Sequence, residues 1–187
     1  MDYSFHFYNG MAGTGIMMAL NHQLLPKKSA PVVLCIGSDL AIGDSLGPLV
    51  GTMLKKSGEF HGYVYGTLKN PVTAKEVKYV NDFLRKTHPN APVIAVDAAV
   101  GEETDVGLIK VTSGSLRPGS GANKKLGKVG DASILGIVAG KSAFSYEMLN
   151  LTRLNMVYSM AEAVSEAIIA YGMQNHAERV VRNVANG

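Results

Sequence analysis

A single cysteine, Cys35, is all the thiol that this 187-residue chain carries, so an internal disulfide is excluded. It sits inside the apolar run VVLCIG (32–37), where burial makes it a packing residue and not a nucleophile. A reducing, cytosolic setting is the expectation. No stretch of about 18 unbroken apolar residues occurs, so no membrane-spanning helix and no membrane partner are expected. The opening MDYSFHFYNG starts with an acidic residue and has no positive n-region, which makes a poor secretory signal. Basic residues never run five together. The densest group is Lys124, Lys125 and Lys128, and at a formal charge of +3 no nucleic-acid partner is expected.

The usual cofactor signatures are also missing. Gly37, Gly43 and Gly47 do not make a GxGxxG turn, no GxxxxGK[ST] loop exists, and Asp39 and Asp44 would repel a phosphate. No nucleotide cofactor is expected. No GxSxG elbow surrounds Ser38, Ser45 or Ser142, and no histidine lies near them to act as a base. None of His6, His22, His61, His88 and His176 stands in a loop that follows a strand, so the companions of a zinc site are lacking and no metal is assigned.

What the chain has is an alternation of strand and helix patterns in a length suited to one domain. Strands are expected over 32–37, 62–67, 93–97, 106–112 and 132–138. LGPLVGTMLKKSG (46–58) reads as a helix, with Pro48 in its first turn and Gly58 past its end. Thr73 and Glu76 form a capping-box start for the next helix, whose apolar stripe is Val77, Val80, Phe83 and Leu84. A last helix is expected from Tyr146 to Met173. The fold class that follows is α/β, a three-layer α/β/α sandwich on a mostly parallel sheet of about five strands. Residues 1–30 read as an N-terminal extension, 31–175 as a single α/β domain and 176–187 as a polar C-terminal tail.

Two turns carry the candidate chemistry. Asp44 lies in the loop after the first strand and Asp97 at the end of VIAVD. If those strands are neighbours, both carboxylates border the crevice at the carboxyl ends of a parallel sheet. Asp44 is either the N-cap of the following helix or a catalytic or metal carboxylate. Asp97 closes an otherwise apolar strand, where a lone buried carboxylate is costly, and this favours function. A close pair would raise one pKa, so that one carboxyl serves as general acid and the other as base. Asp39 reads as an Asx-type turn residue beside them and a candidate substrate contact. The glycine-rich stretch 113–131, with Arg117, Lys124 and Lys125, is long for a plain loop and is a candidate binding loop.

The blocks CIGSDLAIGDSLGPLVGTML, YGTLKNPV, IAVDAAVG and GSLRPGSG…VGD, in this order, resemble the YyaC-type sporulation proteins over about residues 31–170. That family looks like a relative of the spore germination protease and, more distantly, of the hydrogenase maturation endopeptidases. The resemblance implies a phosphorylase/hydrolase-like fold, with Asp44 in GDSLGP and Asp97 in VDAAVG at the positions of the germination protease's two catalytic aspartates. It implies an aspartate-dependent endopeptidase of sporulation or germination, placed in the cytoplasm of the forespore or spore core. A protein or peptide substrate such as a small acid-soluble spore protein is expected as partner, and a homo-oligomer is compatible with this. The maturation peptidases hold a metal through their acidic pair and a later histidine, and this chain has no histidine around 126–131. The alternatives are a non-enzymatic binding or assembly protein on the same fold, or a metal-dependent maturation-type peptidase.

Overall fold

The computed structural model describes residues 2–24, 29–114, 129–141 and 149–185. Its strands are β1 (Tyr3–His6), β2 (Val32–Cys35), β3 (Tyr63–Tyr65), β4 (Val93–Gly101), β5 (Leu108–Ser113) and β6 (Ala132–Gly140). The helices are α1 (Ala12–Gln23), α2 (Leu46–Ser57), α3 (Val77–Thr87) and α4 (Leu154–Ala185). One six-stranded sheet runs in the order β1-β5-β6-β4-β2-β3. Neighbours from β3 through β2 and β4 to β6 are parallel, whereas β5 is antiparallel to β6 and β1 antiparallel to β5.

The apolar runs explain the layers. Every residue of β2 is buried, as a strand covered on both faces requires. Val33 and Cys35 join a core with Ile16 and Leu20 of α1, Val50 of α2 and Val164 of α4. Val32, Leu34 and Ile36 point the other way, into a smaller core with Val77 and Leu84 of α3. This is the expected three-layer α/β/α sandwich, with one strand more than five. α2 begins and ends where Pro48 and Gly58 indicate, and Gly58 takes the left-handed φ of 69° that a helix C-cap favours.

Two boundaries and the buried face of α3 differ from the sequence reading. Residues 3–23, read as an extension, form an edge strand and a core helix: Phe5 pairs with Ile109, while Ile16 and Leu20 are fully buried. Four residues are too few to show a period, so β1 was invisible without its partner β5. At the other end α4 runs to Ala185 through the stretch read as a polar tail. The expected start at Tyr146 lies outside the described residues, and Leu154 is mostly exposed at the first turn. Phe83, assigned to the sheet-facing stripe of α3, is 49% exposed, whereas Val77 and Leu84 are buried.

Candidate active site

β2 and β4 are parallel neighbours, with Cys35 paired to Val96 and the Ile36 N–H donating to the Val96 carbonyl at 2.8 Å. The condition for bringing the two aspartate turns together is therefore met. β4 does not end at Asp97, however. It continues to Gly101, and Asp97 pairs with Leu135 of β6. β2 stops five residues sooner, so from Asp97 onward β4 is flanked by the loop that leaves β2 instead of by a strand. The turn at Gly43–Ser45 packs against β4 there.

That loop is folded tightly. Gly37 has φ 137°, and a Cβ on it would fall 2.0 Å from the Asp44 carbonyl oxygen. The Ser38 N–H donates to that same carbonyl at 3.1 Å, and the Asp44 N–H to Ala41 O at 3.0 Å. The Asp44 backbone is thus held against Gly37 and Ser38, just past the end of β2. It does not cap α2, because Ser45 takes the N-cap position, without a side-chain cap bond. Nor does Asp39 form the expected Asx turn. The Ser38 hydroxyl accepts from the Leu40 N–H at 3.2 Å, and Asp39 points outward, exposed. Ser38 was read only as a failed nucleophile, and its position one residue after a strand-ending glycine was the available signal for this turn role.

The two carboxyls differ in surroundings. Asp97 is only 5% exposed, and its Oδ1 accepts from the Ala98 N–H at 2.9 Å. Asp44 is partly exposed, yet burial pushes its carboxyl up to about 6, against the opposing pull of the Ser38 N–H. The raised value has a consequence for stability. An aspartate that binds its proton more tightly folded than unfolded adds stability below its ordinary carboxylate range, and that contribution is lost as pH rises through about 6. Asp44→Asn removes the ionisation, so at pH 8 the variant gains about 1–2 kcal/mol, a figure already reduced for the solvent that reaches this carboxyl. We expect its Tm to exceed that of the wild type by about 2–8 °C at pH 8 and to match it near pH 4. A lower Tm at pH 8, read by calorimetry, would mean that Asp44 is structural after all.

Arg117, Lys124 and Lys125 lie outside the described residues. The ends of their segment are described: the Asp131 N–H donates to Val93 O at 2.7 Å, and Gly114 N–H to Asp131 O at 2.8 Å. Both ends therefore emerge at the start of β4, about 13 Å along the strand from Asp97. Among the described residues no three His, Cys, Asp or Glu side chains are grouped to hold an ion. Cys35 is fully buried, with its thiol pushed up by burial. No described helix is long and apolar enough to cross a membrane.

A chain with this arrangement has relatives. Over 137 residues it is 45% identical to a Bacillus subtilis (strain 168) protein described as uncharacterized protein YyaC, covering 73% of this chain and 67% of that one. Residues 4–167 match the model of the family described as protein of unknown function DUF1256, and the chain belongs to that family.

Proposed function

We propose that this protein is an aspartate-dependent endopeptidase of sporulation or germination, acting on a protein substrate of the small acid-soluble spore protein class. One observation supports the reading: the turn that holds Asp44 packs against β4, the strand that carries Asp97, and burial pushes the Asp44 carboxyl up to about 6. Arg117, Lys124 and Lys125 remain, in this proposal, the groups that seat an acidic substrate segment, and Asp39 a contact at the crevice mouth. Residence in the forespore or spore-core cytoplasm belongs to the same proposal.

The chemistry is hydrolysis by an unequal pair of carboxyls. Asp97 takes a proton from water as the water oxygen attacks the peptide carbonyl carbon. Asp44 gives its proton to the carbonyl oxygen, leaving a neutral tetrahedral diol. Collapse returns a diol proton to Asp44 and breaks the C–N bond as Asp97 protonates the leaving nitrogen. Water is added across the amide and both aspartates end as they began.

The test is to incubate purified protein with small acid-soluble spore protein and to follow fragments by mass spectrometry. Site-specific fragments from the wild type, and none from Asp97→Asn, are expected. An intact substrate with the wild type would refute the peptidase.

A further inference from the structure

A cavity of about 560 Å³ opens at the lateral edge of the sheet, between β3 and α3 and the loop joining them. Its volume falls within the range of small-ligand and side-chain sites. Tyr65, Tyr79, Val80 and Phe83 make its apolar wall, and Val72 ties it to the crevice, because the Gly37 N–H donates to Val72 O at 3.0 Å. The half-exposed Phe83 and largely exposed Tyr79 thereby acquire an explanation, as aromatic surface left open next to a functional edge.

Two polar groups in this wall are unengaged. Lys55 is the one charged side chain lining the cavity among the described residues, and no described carboxylate pairs with it. The backbone of Asn70 is satisfied within its own turn, where its N–H donates to Thr67 Oγ1 at 3.1 Å and its carbonyl accepts from the Thr67 N–H at 3.0 Å. Its side-chain amide is left with both donor and acceptor unused among the described residues, suited to the backbone of a passing peptide. An apolar wall with one cation and one amide selects an apolar side chain flanked by a carboxylate.

We infer that this cavity seats an aromatic side chain of a substrate peptide, with an acidic residue next to it held by Lys55. The inference rests on the peptidase proposal for taking the ligand to be a peptide, but it is tested by binding alone. The probe is Ac-Ala-Glu-Phe-Ala-amide, titrated into the ¹⁵N-labelled full chain at low salt. We expect amide shifts centred on Gly66, Thr67, Asn70 and Val80. The Glu→Gln peptide should bind about three- to fivefold more weakly, as for an exposed ion pair, and the Phe→Ala peptide should give no saturable shifts. Lys55 is exposed on α2, so Lys55→Met will fold, and in that variant the Glu and Gln peptides should bind equally. Shifts elsewhere on the molecule, equal binding of the Glu and Gln peptides to the wild type, or a Glu preference that survives Lys55→Met would each overturn the inference. Binding here by a protein that cuts nothing would sink the peptidase and leave the cavity assignment standing, whereas cleavage without these shifts would do the reverse.

Discussion

Asp97→Asn is expected to lower kcat/KM for spore-protein cleavage by about 10²–10⁴-fold, the usual range for losing a positioned general base. The variant suits the question because asparagine has nearly the same shape and keeps an oxygen to accept the Ala98 N–H bond seen at 2.9 Å. What it loses is the ability to take a proton from water. A melting curve within a few degrees of the wild type, alongside the lost activity, would place the effect on chemistry and not on folding. The pH profile adds a second sign. Asp44 must carry a proton at the start of each turnover, so the wild-type rate should fall as pH rises through about 6. Activity that climbs through this range would assign Asp44 the base's part. A binding or assembly protein would show no cleavage to lose, with the wild type and Asp97→Asn alike inactive.

Gly47→Ala is expected to be among the most damaging single-methyl changes near the site. Gly47 stands in the first turn of α2 directly over the end of β2, and a Cβ there would lie 2.1 Å from Ile36 O and 2.7 Å from Ile36 N. Both neighbours are backbone atoms of Ile36, the residue just past β2, whose N–H is bonded to Val96 O, so no side chain can swing aside. α2 must move off the sheet and carry the Asp44 turn with it. Overpacking of this kind costs about 3 kcal/mol, which for a chain of this size lowers Tm by about 6–12 °C. Cleavage should fall too, because the aspartates separate. Gly10→Ala is the control, since a Cβ there meets nothing within 4 Å, and it should leave both measurements unchanged. A Gly47→Ala protein as stable and active as the wild type would show that the close contact between α2 and β2 is not what positions Asp44.

The parts of this fold that were legible in the sequence are those whose signal is local. The unbroken apolar residues of β2 require cover on both faces, and Pro48 with Gly58 brackets α2. Where a partner decides the outcome, the sequence was silent. YSFH becomes a strand only because β5 offers an edge, and HAERVVRNV continues α4 although its composition suggests a solvated tail. The site divides in the same way. Asp44 stands out in the loop after an apolar run and Asp97 at the end of one, whereas the pairing of β2 with β4 is seen only in the sheet. That Asp97 lies within a nine-residue strand, flanked by a loop instead of a strand because β2 is shorter, depends on the relative lengths of two neighbours. The raised pKa of Asp44 depends on what buries it, and the cavity on how α3 sits against β3. Neither leaves a pattern in any one segment.

The central claim is that Asp44 and Asp97 act as one unit, and a double-mutant comparison tests it most directly. Rates of spore-protein cleavage are to be measured for the wild type, Asp44→Asn, Asp97→Asn and the double variant under one condition, at pH 5.5. Groups that act together lose their joint contribution once, so the double variant should be no slower than the slower single by more than about threefold. If the two losses multiply instead, or if either single variant cuts like the wild type, the carboxylates do not work as a pair.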